Sequence, residues 1–309
     1  MIWITGNVEG KKYKEPFSKG ILSRSINVAD IGFERAYDIA SDIESDLIQN
    51  NVAEITSYEL AYVVFNHLKT VNPKIAQKYK NWRSLRKSNE PLIIMIGGAS
   101  GVGTSSMAFE LATRLRLKNI IGTDMIREVM RKIISKELNP VVHKSSFDAY
   151  ESVRFPSIKI DPVIEGFINH VDVVNVGIEA IIERSVKEGI SIIIEGVHVV
   201  PGFIRKDLME NNNIIVFSLT VDDEESHRQR FYSRCRQPWV KRSLERYMDN
   251  FDTIRKTQQF LVEQSKIHDA RIINNVDINE TVDVMISDIL EKFGGENNVE
   301  QESKGNNDN

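Results

Sequence analysis

Leu92-Ile93-Ile94-Met95-Ile96 runs without a polar break into Gly97-Gly98-Ala99-Ser100-Gly101-Val102-Gly103-Thr104-Ser105-Ser106, and apolar periodicity resumes at Met107-Ala108-Phe109-Glu110-Leu111-Ala112-Thr113-Arg114-Leu115. Such a succession predicts a buried strand, a tight loop and an amphipathic helix. Glycines let successive backbone N–H groups curl around an anion, and the positive end of the helix dipole points at the same place. Gly98 and Gly103 stand at the spacing of the phosphate-loop pattern, with Ser105 where a hydroxyl reaches magnesium. Thr104 occupies the position of the pattern's lysine. Either the cation that bridges the outer phosphates comes from elsewhere in the chain, or the loop holds something other than a nucleotide. A glycine-rich turn without a ligand is the third reading of the same residues.

A chain of 309 residues has room for two domains of about 100–200 residues each. With 41% hydrophobic and 27% charged residues and a net charge of -4, the composition is that of an ordinary soluble protein. No polybasic surface argues for nucleic acid or membrane as a partner. The single cysteine, Cys235, excludes an internal disulfide and fits a reducing compartment. No basic-then-apolar leader opens the sequence, and the apolar runs fall short of the ~20 residues of a membrane helix. A cytoplasmic protein is expected.

Ahead of the glycine-rich stretch, residues 1–88 read as a small, mainly helical domain. Met1-Ile2-Trp3-Ile4-Thr5 suits a short strand, and Asn7-Val8-Glu9-Gly10 a turn into Lys11 and Lys12. Ile21, Ile26 and Val28 mark one helix, and Ala36, Ile39, Ile43 and Leu47 recur at helical spacing along a second. Thr56-Ser57-Tyr58-Glu59 is a capping box that opens a third helix, and Asn72-Pro73 caps a fourth. Lys14-Glu15-Pro16-Phe17-Ser18-Lys19-Gly20-Ile21-Leu22, the four helices and the closing Ile75-Ala76-Gln77-Lys78-Tyr79 resemble an ATP-cone, a regulatory nucleotide-binding module. The resemblance implies that Lys11, Lys12 and Lys19 meet nucleotide phosphates, although the family's usual arginine–aspartate–glycine turn is missing. A helical cap that only packs or dimerises is the other reading.

A polar linker closed by Pro91 leads into residues 91–293, where strands and helices alternate as in a parallel sheet covered on both faces. Asn119-Ile120-Ile121-Gly122-Thr123, Ser191-Ile192-Ile193-Ile194-Glu195, the run 213–220 and Arg271-Ile272-Ile273-Asn274 supply four more strands. In such sheets ligands gather beyond the strand ends. Asp124 and Arg127, three apart after the second strand, share one face of a starting helix. A small-molecule kinase would use the carboxylate as proton acceptor and the guanidinium to hold an anion; an N-cap acid beside a surface arginine is the alternative. His143, Lys144, Ser145 and Ser146 lie in a long connection suited to an acceptor site, or simply to solvent. Glu195, at the end of the third strand, is a candidate for the magnesium shell or a buried paired acid. His198 is an acceptor contact or a core hydrogen-bonding group. The acidic-then-basic run from Asp222, with Arg228, Arg230, Arg234 and Arg236, reads as a lid that neutralises phosphate charge, or as a helix whose own charges pair. The polar stretch 294–309 is expected to be a disordered tail.

Taken together, Gly97 through Ser105, Ile121-Gly122-Thr123-Asp124 through Arg127, His143-Lys144-Ser145-Ser146-Phe147 and Glu195-Gly196-Val197-His198 strongly resemble the archaeal 2-phosphoglycerate kinases. The resemblance spans all but the tail and implies a P-loop kinase-type parallel sheet flanked by helices behind the N-terminal ATP-cone domain. Threonine at the lysine position is familiar in that family. The implied reaction carries the terminal phosphoryl group of ATP to the 3-hydroxyl of 2-phosphoglycerate with Mg2+, giving 2,3-bisphosphoglycerate, the precursor of a cyclic compatible solute in some archaea. On this view Gly98, Ser100, Gly101, Val102, Gly103, Thr104, Ser105 and Ser106 hold ATP. Ser105 and Glu195 hold the metal, and Asp124 takes the hydroxyl proton. Arg127, His143, Lys144, Ser145 and His198 bind the acceptor, and Arg228 and Arg234 close over the transferred group. A kinase for another phosphorylated acid or polyol phosphate, or an idle adenylate sensor, would keep the same features; a homo-oligomer is compatible with all of them.

Overall fold

The computed structural model describes residues 1–8, 11–29, 31–87, 90–236 and 243–294. Two compact units divide the chain: residues 1–88 with the chain from Ile286 on, and residues 89–285. The expected tail at 294–309 lies, beyond Gly294, outside the described residues.

In the first unit β1 (Trp3–Val8) and β2 (Lys11–Pro16) form an antiparallel hairpin, and β3 (Glu54–Thr56) adds in parallel to β1. Four helices follow the periodicity of the sequence: α1 (Lys19–Asn27), α2 (Phe33–Gln49), α3 (Ser57–Val71) and α4 (Pro73–Lys87). Thr56 and Glu59 make the capping box reciprocally, Glu59 N–H to Thr56 Oγ1 at 3.1 Å and Thr56 N–H to Glu59 Oε2 at 2.8 Å. Ile26, Ile43, Val64 and Leu68 are fully buried between sheet and helices. Lys11 and Lys12 are exposed on β2, while Lys19 pairs with Glu44 at 3.0 Å.

The second unit is built on a five-stranded sheet. Its strands are β4 (Ile93–Gly98), β5 (Asn119–Gly122), β6 (Ile192–Gly196), β7 (Ile214–Thr220) and β8 (Arg271–Asn274). They run parallel in the order β5-β6-β4-β7-β8. β4, the unbroken apolar run of the sequence, is central and buried along its whole length, as strands covered on both faces must be. Register sets Glu195 beside Ile96 and beside Gly122, so this carboxylate sits at the loop end of the sheet. The helices are α5 (Thr104–Leu115), α6 (Thr123–Ile133), α7 (Pro162–Glu188), α8 (Lys206–Met209), α9 (Glu224–Cys235), α10 (Leu244–Asp249), α11 (Phe251–Ile267) and the start of α12 (Ile278–Gly294), whose residues from Ile286 on belong to the first unit. Met95 and Ile194 from the sheet pack with Val174 and Ile178 of α7. Among the described residues no helix is long and apolar enough to cross a membrane.

Candidate active site

The loop between β4 and α5 opens into a cavity of about 1100 Å³ at the C-terminal edge of the sheet. Gly98, Ser100, Gly101, Gly103, Thr104, Ser105 and Ser106 line it from the loop side; Val102 is fully buried and lies behind them. Gly101 has φ +90, and a β-carbon there would meet Phe231 Cζ at 2.5 Å, so the turn accepts no side chain. Helix α5 starts at Thr104 directly after the turn, which aims its first N–H groups at the cavity.

Glu195 joins the loop to the neighbouring strand. Thr104 Oγ1 donates to its Oε2 at 2.7 Å and Ser105 Oγ to its Oε1 at 2.9 Å. Burial pushes the Glu195 carboxyl above the usual carboxylate range, the two hydroxyl donors pull it back, and the nearby Asp124 pushes it up again. Ser105 and Glu195 therefore bring two hard oxygen donors together at the mouth of the phosphate loop, a donor set that suits magnesium.

A second part of the lining comes from α6 and the connection after it. Asp124 sits in the first turn of α6 and Arg127 one turn on, both lining the cavity with Arg131, His143, Lys144 and Ser145. Arg127 is half-buried. Its Nη1 donates to the Lys144 carbonyl at 2.9 Å, its Nη2 to Glu128 at 3.1 Å, and its Nε is buried without a hydrogen-bond partner among the described residues. Lys144 Nζ pairs with Glu151 at 2.6 Å, His143 Nε2 donates to the Ile134 carbonyl at 2.9 Å, and Ser145 Oγ accepts from Arg246 at 2.9 Å. Arg246, from α10, also pairs with Asp148.

Helix α9 forms the third side. His227 Nε2 donates to the Ser100 carbonyl at 2.8 Å, and Arg230 Nη1 and Asn275 Nδ2 both donate to the Val102 carbonyl, at 2.9 and 2.8 Å. The first part of the run read as a lid is thus fastened to the phosphate loop, and Arg234 follows on the same face and lines the cavity. Arg228 goes elsewhere. Its guanidinium lies 3.8 Å from the centre of the Phe251 ring, outside the cavity lining. His198 is fully buried behind the wall, with both ring nitrogens bonded to protein groups. The core hydrogen-bonding alternative for His198 is the one the geometry meets.

Sequence reasoning passed over Arg131, Arg246 and Asn275, and named Arg230 only as part of the lid. Each depends on a tertiary approach that no local pattern announces. For α9 a signal existed: His227, Arg230, Phe231 and Arg234 fall at i, i+3, i+4 and i+7, one helical face, from which Arg228 is turned away.

The 2-phosphoglycerate kinase of Methanothermobacter thermautotrophicus is 51% identical to this chain over 97% of it and 99% of the relative. The chain belongs to the 2-phosphoglycerate kinase family. The kinases of that name from Methanopyrus kandleri and Pyrococcus furiosus are 44% and 39% identical over 93% and 91% of this chain, covering 87% and 91% of the relatives. Residues 8–88 match the ATP cone domain model, so the hairpin-and-four-helix unit ahead of the kinase sheet is an ATP-cone.

Proposed function

We propose that this chain transfers the γ-phosphoryl group of ATP to the 3-hydroxyl of 2-phosphoglycerate in the cytoplasm, giving 2,3-bisphosphoglycerate and ADP. The observation that carries this reading is the shared cavity, lined both by the phosphate loop and by Asp124, Arg127, Arg131 and Lys144. An acceptor with both a carboxylate and a phosphate needs several cations at fixed places, and the family relatives bear the name of that reaction.

Phosphoryl transfer asks for positioning and charge neutralisation more than for covalent help. The loop amides and the N-terminus of α5 hold the triphosphate. Ser105 and Glu195 would hold magnesium, which neutralises phosphate charge when bound. Arg127 and Lys144 orient the acceptor's anionic groups, and Asp124 accepts the 3-hydroxyl proton as the oxygen bonds to the γ-phosphorus and the bond to ADP breaks. Arg234, which is close enough to Glu195 for its charge to pull that carboxyl down, supplies the positive charge that Thr104 lacks. The ATP-cone, with Lys11, Lys12 and Lys19 toward phosphate, tunes this activity to adenylate level.

Incubation with γ-labelled ATP and a panel of phosphorylated acids and polyol phosphates tests the reading. Label in 2,3-bisphosphoglycerate alone is expected. Preferred labelling of another acid or a polyol phosphate would move the chain to a neighbouring specificity, and ATP binding with no labelled product would make it a sensor.

A further inference from the structure

We infer that His198 and His170 are positioning residues, which lock the acceptor wall of the cavity through a closed ring of buried hydrogen bonds. The inference rests on the phosphotransfer reading above. Both imidazoles are fully buried, as is Thr123 at the start of α6. Thr123 Oγ1 lies 2.8 Å from His198 Nδ1, His198 Nε2 lies 2.9 Å from His170 Nδ1, and His170 Nε2 lies 3.3 Å from the Lys144 carbonyl.

The carbonyl at one end fixes the direction of every bond. It can only accept, so His170 carries its proton on Nε2 and leaves Nδ1 bare. His198 must then donate from Nε2, and its bare Nδ1 accepts from the Thr123 hydroxyl. One arrangement satisfies all the groups, with both rings neutral and protonated on Nε2. Burial favours that neutrality: it holds His170 down at about 4 and His198 well below its ordinary value, with the Arg127 charge acting in the same direction.

The Lys144 carbonyl also accepts from Arg127 Nη1. Thr123 and Arg127 stand four residues apart on α6, so the chain returns to the helix it left. Inside that closed ring lie the backbone of Asp124 and the main chain of Lys144, the groups that aim the general base and an acceptor cation into the cavity. The turn after β6 is shaped for it: at Gly196, φ +133, a β-carbon would stand 2.2 Å from Thr123 Oγ1. The ring reaches no part of the phosphate loop, so its loss should act on acceptor handling alone.

Thr123→Val keeps the shape and removes the donor, whereas Thr123→Ser keeps the hydroxyl. For Thr123→Val we expect the KM for 2-phosphoglycerate to rise about tenfold or more and kcat to fall, because displacements of about 1 Å cost on the order of 100-fold. The KM for ATP should stay within about twofold, and Thr123→Ser should recover most of the loss. Acceptor KM and kcat unchanged in Thr123→Val, or acceptor and ATP constants rising together, would overturn the role. A measurement on the unaltered protein guards against a variant that fails to fold. With six histidines in the chain, the assigned imidazole 15N spectrum at pH 7 should show the His170 and His198 rings as neutral Nε2–H forms that resist exchange, alongside the likewise Nε2-bonded His227; Nδ1–H or doubly protonated forms at His170 and His198 would overturn the ring. If the unaltered enzyme prefers another phosphorylated acid, the same kinetic split is read with that acid, so a wrong acceptor and a wrong ring give different results. If it phosphorylates none, the reading of the reaction and the positioning role fall together.

Discussion

Thr104 donates its hydroxyl to Glu195 across 2.7 Å, so the residue at the lysine position of the phosphate loop is tied to the carboxylate of the next strand. A lysine there would meet the same carboxylate as an ion pair. We therefore expect Thr104→Lys to lower kcat about tenfold or more, because it would draw Glu195 away from Ser105 and from the magnesium proposed to bind there. Steady-state rates at saturating magnesium and ATP decide it; a faster enzyme would mean that the site merely lacks a cation.

Asp124 stands in the first turn of α6 and lines the same cavity as the phosphate loop. Asp124→Asn keeps its size and removes its ability to take a proton, which for a general base is worth about 100-fold to 10,000-fold in rate. ATP binding, measured by titration calorimetry, should be unchanged within error. Turnover that survives the substitution would dismiss the assigned base.

Arg234 and Arg228 are six residues apart on α9 but have different surroundings, the first in the cavity wall and the second over the Phe251 ring. Arg234→Met is expected to reduce kcat by about 100-fold or more, as for an arginine that meets transition-state phosphate charge. Arg228→Met should leave kcat near that of the unaltered enzyme and cost about 0.5–1 kcal/mol of stability through the lost cation–π contact. The reverse pattern in rates and melting temperatures would exchange the two assignments.

Both results depend on what a linear pattern can carry. The five strands of the kinase sheet were legible because each is an apolar run that breaks into glycine, acid or cap residues, and the Thr56 capping box was legible because its spacing is its chemistry. Strand β3 was not, since three residues that pair only through β1 have no periodicity to read. The order β5-β6-β4-β7-β8 follows from which helix covers which face, and that is settled in packing. The residues that line the cavity or lie buried behind it followed the same division. Ser105 and Asp124 were visible from motif and position. Arg246, Asn275 and the His170–His198 pair come together across 173 residues or fewer of intervening chain, where only folding brings them into register.

Acid should loosen this fold in a window set by its buried histidines. Burial holds His170 and His227 at about 4, against about 6.5 in an unfolded chain. Between those values the unfolded state takes up protons that the folded state refuses, so stability is full above pH 6.5, falls as pH drops toward 4, and levels off once the folded rings also protonate. At roughly 1.4 kcal/mol per pH unit, each ring contributes a loss of up to about 3 kcal/mol over the window. His198, held lower still by burial and by its partner His170, extends the loss to more acid pH. Exposed carboxylates with lowered values, Asp161 and Asp223 among them, add theirs below the window as their own partners are lost. Melting temperatures recorded from pH 8 to pH 4 should therefore decline steadily below pH 6.5, and His170→Gln should flatten part of that decline while lowering the plateau. A melting temperature that holds level from pH 7 to pH 4.5 would mean that these rings take up protons in the folded protein as readily as in the unfolded chain, and the bond from His198 Nε2 to a bare His170 Nδ1 would have to be redrawn.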